Sequence, residues 1–292
     1  MSLVITLIAG SDAEPRLRGI VGSLAGKLRA EPNWLAAGRA CDLAFDGIEP
    51  NIAELAAREA IAGAAIDVLV QPAAGRRKRI FVADLEATII ENEMLDELAE
   101  FVGQREHVAE ITRRAMNGEI DFAAALAERV ALLKGLPATA LDEAAQRIRL
   151  MPGARALVAT LRATGVTTAL VSGAFTVFAE PIAAQLGFDR LVANRLDIAD
   201  GRIAGTVAAP IVTRETKRDA LVALARECGI PIAATLAVGD GANDLPMLEA
   251  AGLGIAFHAK PAVAAGARWR IDHADLTALL YAQGYRADEI VS

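Results

Sequence analysis

Three short stretches and one lysine carry the residue types that could do chemistry. Asp84-Leu85-Glu86-Ala87-Thr88, Ser172-Gly173-Ala174-Phe175-Thr176 and Gly239-Asp240-Gly241-Ala242-Asn243-Asp244 each follow or close a short apolar run, and Lys217 opens a helical stretch before the last of them. Taken singly, each is ordinary. An Asp or Ser after an apolar strand is commonly a helix N-cap, and a lone helical lysine is usually solvated. Together they point elsewhere. Carboxylates converging on one crest repel unless a cation sits among them, and hard oxygen ligands without His or Cys select Mg2+. A divalent cation, a lysine, a hydroxyl and backbone N–H groups after a Gly-containing turn are what a transferring phosphoryl group requires. One carboxylate can attack phosphorus. A second, two residues on and on the same side of an extended chain, can act as acid and then base.

The elements that must position these residues follow from periodicity. From residue 80, β-rich runs at 80–83, 168–171, 191–193, 236–238 and 253–257 alternate with helical stretches at 154–163, 177–186, 216–228 and 245–250. That alternation predicts an α/β fold with a doubly wound parallel sheet, and such sheets bind ligands beyond the carboxyl ends of their strands. Residues 91–151 are almost wholly helical in pattern and too long for one crossover, so most of them read as an inserted helical cap. Residues 1–75 read as a small α+β unit, with strands at 3–9, 34–45 and 66–70 and helices at 15–28 and 51–62. It holds neither a carboxylate cluster nor a phosphate loop, so a regulatory or structural role is expected. Residues 71–75 read as a linker, and Arg76-Arg77-Lys78-Arg79 as its solvated charge run.

The strand-end set resembles the haloacid dehalogenase superfamily of phosphatases, with its D-x-D-x-T, Ser/Thr, Lys and G-D-x-x-N-D motifs. Within it, residues 80–285 resemble the bacterial phosphoserine phosphatases. Glu93, Thr112, Met116-Asn117-Gly118-Glu119, Asp121-Phe122, the stretch 129–136, Asp200-Gly201, Gly205 and Leu245-Pro246-Met247 carry that likeness. Residues 1–75 are loosely similar to the ACT-like domain of longer members. The resemblance implies Mg2+-dependent hydrolysis of O-phospho-L-serine through an aspartyl-phosphate, the last step of serine biosynthesis. It implies Asp84 as nucleophile and metal ligand, and Glu86 as acid/base offering its backbone carbonyl to the metal. Asp240 would be a ligand and Asp244 its support. Ser172, Gly173, Lys217 and Asn243 would hold the phosphoryl group. Glu93 and Arg129 would take the substrate ammonium and carboxylate, with Met116 and Phe122 packing over them.

Where the family usually has Asp, this chain has Glu86. The extra methylene moves the carboxyl toward metal or nucleophile unless the side chain folds back, and an error near 1 Å can cost about 10²-fold in rate. Slower turnover is therefore expected. Another small phosphomonoester as substrate, or a homologue that binds phosphoserine or serine without turnover, stay open. Ala174 replaces a usual glycine, harmful only at positive φ. Ala87 and Ala125 stand where serines are common, and small effects are expected of both.

Composition narrows the remaining classes. With a net charge of −7, no nucleic-acid partner is expected. Two cysteines and three histidines make neither a disulfide framework nor a His-rich zinc site. No membrane span or signal peptide is legible, so a cytoplasmic protein is expected. The N-terminal unit allows a homodimer.

Overall fold

The computed structural model describes residues 2–291. The N-terminal unit runs β1 (Leu3–Ala9), α1 (Glu14–Leu28), β2 (Pro32–Ala36), β3 (Ala40–Phe45), α2 (Pro50–Ile61) and β4 (Ile66–Pro72). Its antiparallel sheet has the order β2-β3-β1-β4, the split βαββαβ arrangement. The stretch 34–45, read from sequence as one strand, is a hairpin. Gly38 at φ 76° turns the chain between β2 and β3.

The second unit contains β5 (Ile80–Ala83), the helices α3 (Met94–Glu100), α4 (Arg105–Met116), α5 (Phe122–Ala131), α6 (Thr139–Ala145) and α7 (Ala154–Ala163), then β6 (Thr167–Phe175) and α8 (Thr176–Leu186). It continues with β7 (Arg190–Ala199), β8 (Arg202–Ala208), α9 (Arg214–Glu227), β9 (Thr235–Gly239), α10 (Leu245–Ala250), β10 (Leu253–Phe257), α11 (Pro261–Gly266), β11 (Trp269–Ile271) and α12 (Ala278–Ala282). The seven strands lie in the order β11-β10-β9-β5-β6-β7-β8. All pairs are parallel except β7–β8, an antiparallel hairpin that the short run at 191–193 did not reveal. Strand β5 is buried at all four positions because helices cover both faces of the sheet. Phe81 and Ala83 enter one core, and Ile80 and Val82 the other.

Helices α3 to α6 stand off this sheet on two paired linkers. Glu91 N–H donates to Arg149 O, and Met151 N–H to Ile89 O, both at 2.9 Å. The β7–β8 hairpin is tied to the same helical segment, since Gly135 N–H donates to Ile203 O and Ile203 N–H to Leu136 O. Among the described residues no helix is long and apolar enough to cross a membrane.

In the charge run at 76–79, Arg77 and Arg79 are exposed as expected, but Arg76 and Lys78 are not solvated. Arg76 pairs with Asp42 at 2.6 Å, with side chains only 11% and 6% exposed. It also donates to Thr6 Oγ1 and to the carbonyls of Tyr281 and Ala282. Lys78 Nζ donates to Gly75 O and Ala233 O. A guanidinium has five N–H donors, enough to serve a buried carboxylate and the open carbonyls at a helix end together. Arg76 thereby staples the small sheet to α12. Asp67 adds a second tie by accepting the backbone N–H groups of Asp272, His273 and Ala274.

Candidate active site

Strand order brings the chemistry together. Strand β5 lies between β9 and β6, so Asp84, Asp240 and Ser172 meet at one edge of the sheet. Asp84, Asp240 and Asp244 are buried, and each offers a carboxylate oxygen within 4.8 Å of the others. Lys217 enters from α9, whose start is fixed by a capping box between Thr213 and Thr216. Its ammonium lies 2.8 Å from Asp84 Oδ1 and 2.7 Å from Asp244 Oδ1. Burial works against its charge, but Asp244 and Asp84 outweigh it and raise the lysine above its ordinary value. Asp244 Oδ2 accepts the Gly241 N–H at 3.1 Å, so both of its oxygens are engaged within the protein.

The cluster fits a divalent cation. Asp84 Oδ1 and Asp240 Oδ2 are buried with no hydrogen bond directed at them, although lysines lie close by. Buried carboxylate oxygens held this way are a hard-cation donor set, with no His or Cys among them. The Glu86 side chain is outside this trio.

Glu86 folds back. Its Oε1 accepts the Met94 N–H at 2.7 Å, at the start of α3, and so takes up the extra methylene away from the carboxylate trio. Burial, with Asp84 adding, pushes its carboxyl up to about 7 against the pull of the Met94 N–H and Arg129. Glu93 precedes α3 and lines the same cavity. Burial, then Glu86 and Asp240, holds its carboxyl well above the usual range.

The cavity is closed by the helical segment. Asp84, Glu86, Glu93, Met116, Phe122, Arg129, Ser172, Gly173, Asp240 and Asn243 all line it, and it leaves about 10 Å³ for water centres, room for one water. Ala242 N–H donates to Met116 O at 2.9 Å across the closure. Two glycines permit this approach. A Cβ on Gly173 would stand 2.7 Å from Phe122 Cζ, and one on Gly241 would stand 2.9 Å from Met116 Sδ. A cleft of about 370 Å³, lined in part by Phe122, Asn243 and Arg214, adjoins the closed cavity.

Arg129 is 3% exposed and, among the described residues, makes no ion pair. Its Nη1 donates to Thr112 Oγ1, which donates onward to Asp96, and its Nε donates to Ala125 O. It is thus neither a surface helix charge nor a partner of Glu93 by direct contact. Asn243 Oδ1 is likewise buried without a partner. Ala174 lies within β6 and is free of positive φ, whereas Ala87 turns the chain at φ 50°, a left-handed conformation costing about 1 kcal/mol.

Sequence reasoning missed two residues, Asn194 and Lys260, and named Thr88 in the first motif without giving it a role. Asn194 donates to Gly173 O and accepts the Val212 N–H, bracing the last residues of β6, after Ser172, against the approach to α9. Thr88 Oγ1 reaches Asp240 Oδ1 at 3.5 Å, and Lys260 Nζ reaches Asp240 Oδ2 at 3.1 Å. Asn194 and Lys260 lie at or just past the ends of apolar runs, so the strand-end signal that marked Ser172 could have marked them too.

The chain is 45% identical over 227 residues to a phosphoserine phosphatase of Mycobacterium tuberculosis, covering 77% of this chain but 56% of that relative's length. It is 44% identical over 203 residues to a phosphoserine phosphatase of Lactococcus lactis, covering 70% of this chain and 94% of that one. A haloacid dehalogenase family hydrolase of Salmonella enterica superposes with a TM-score of 0.83 at 29% identity, over 96% of this chain and 97% of that one. Residues 81–249, more than half of the chain and including Asp84, Ser172, Lys217, Asp240 and Asp244, match the haloacid dehalogenase-like hydrolases, and the protein belongs to that family.

Proposed function

We propose that the protein is a Mg2+-dependent phosphoserine phosphatase working through an aspartyl-phosphate on Asp84. The observation that carries the substrate assignment is Arg129, a buried guanidinium without a carboxylate partner, in one small cavity with Glu93 and the Asp84 crest. A substrate with one ammonium, one carboxylate and one phosphate complements that triangle of charge. The curated relatives' names agree with it.

In this reading Asp84, Asp240 and the backbone carbonyl of Glu86 would hold the ion, which would neutralise phosphoryl charge, and Asp244 would support them. Ser172, the Gly173 N–H, Asn243 and Lys217 orient the phosphoryl oxygens. An Asp84 oxygen forms a bond to phosphorus as the bond from phosphorus to the serine oxygen breaks. The electron pair leaves on that oxygen, which takes the proton of Glu86. A carboxyl near 7 can then take a proton from water as water attacks the aspartyl-phosphate, releasing phosphate and restoring Asp84. Met116 and Phe122 exclude other solvent. Residues 1–75 serve as an ACT-like regulatory unit.

The test is phosphate release from O-phospho-L-serine with and without Mg2+, beside Asp84→Asn. Turnover that needs Mg2+ and is lost in the variant is expected. Faster release from neutral sugar phosphates would move the assignment to another phosphomonoester.

A further inference from the structure

We propose that Lys260 is a placeholder cation of the carboxylate crest, a positioning residue that holds Asp240 between binding events and yields it to the divalent ion. This rests on the reading of the crest as a metal site. Lys217 touches only two of the three carboxylates, Asp84 and Asp244. Without Lys260, Asp240, 3% exposed, would be a buried charge with no cation beside it and only the long Thr88 hydroxyl contact, which folded proteins avoid. Lys260 supplies the partner at 3.1 Å from Oδ2, the oxygen that no directed hydrogen bond engages.

The two lysines differ in freedom. The Lys217 side chain is 1% exposed and Lys260 is 31% exposed. The Lys260 backbone is fixed beside the site, because its N–H donates to Asp240 O at 3.1 Å and Pro261 begins α11 directly after it. Only the side chain needs to move, and its route leads to solvent. A mobile ammonium on a ligand oxygen competes with an incoming cation and repels it, so the lysine weakens metal binding while keeping the empty crest from self-repulsion.

The experiment titrates the full-length protein with MgCl2 alone, by calorimetry and by thermal melting, for the wild type, Lys260→Met and Lys260→Arg. The expected result is about three- to tenfold tighter Mg2+ binding by Lys260→Met, with a lower metal-free Tm and a larger rise on adding Mg2+. Lys260→Arg should restore the wild-type values. If Lys260→Met melts without cooperativity when metal-free, Lys260→Gln replaces it, since its amide keeps a hydrogen bond to Asp240 without the charge. Unchanged or weaker Mg2+ binding by the charge-removing variant overturns the placeholder role alone. A wild type that binds no Mg2+ overturns both this role and the metal reading.

Discussion

The Glu86 carboxylate and the Met94 backbone N–H, 2.7 Å apart, join the loop after β5 to the first residue of α3. The proposed acid/base is therefore steered by the segment that closes over the substrate. Of the two positions that the sequence left open for the longer side chain, crowding the metal or nucleophile or folding back, it takes the second and is drawn toward the helix start, where a carboxylate is favoured.

Replacing Glu86 by Gln keeps the shape and removes the proton. The expected loss in kcat is roughly 10²–10⁴, read as phosphate release at saturating Mg2+ and substrate. Glu86→Asp keeps the carboxyl one bond shorter and should stay within about tenfold of wild type. Parity of Glu86→Gln with wild type would remove the residue from the chemistry.

Arg129→Ala should act on recognition. For O-phospho-L-serine, KM is expected to rise about 10²-fold, the cost of a charged hydrogen-bonded pair in a buried site. For phosphoethanolamine, which lacks the carboxylate, KM should change far less. Equal effects on both substrates would point to a disturbed fold rather than a lost contact.

Stability of the metal-free protein should depend on pH in a defined direction. Glu86 and Asp244 titrate near 7 in the folded chain against 4.5 and 3.8 when free, and Glu93 and Asp240 are raised as well. Groups raised on folding contribute fully below their unfolded values, and that contribution is lost as pH rises through the folded ones. Between about pH 5 and 8 the metal-free Tm should therefore fall, by on the order of 5 °C. Mg2+ should recover most of it at pH 8, and EDTA should abolish the recovery. A flat metal-free profile would contradict the burial of these carboxyls.

Arg76→Ala strands Asp42 and the carbonyls at the end of α12. A loss of about 3–5 kcal/mol in urea unfolding is expected, the cost of removing one partner of a buried pair. Arg76→Lys should recover part of it, because one ammonium cannot reach all the acceptors that the guanidinium serves. A loss under about 1 kcal/mol would return residues 76–79 to the status of a linker.

The crest was legible because its residues sit at strand ends, where local sequence alone fixes which side chains emerge. Asp84, Ser172 and Asp240 needed only the order of β9, β5 and β6 to meet. Lys260 and Asn194 were harder, since each follows an apolar run without a neighbouring carboxylate or glycine turn to single it out. Arg76 misled for a related reason. A run of four cations next to Gly75 reads as solvated until the fold brings Asp42 and the α12 carbonyls around one of them. The β2–β3 hairpin was within reach, because Gly38-Arg39 interrupts the apolar residues on either side.

The narrow cavity beneath Met116 and Phe122, with room for about one water, has a kinetic consequence. In the proposed reaction, product can depart and fresh substrate arrive only through an opening stroke, so each turnover would include at least one such stroke besides the chemistry. At saturating substrate the observed rate should then slow as solvent viscosity rises, a dependence set by the Met116–Ala242 contact rather than by the carboxylates.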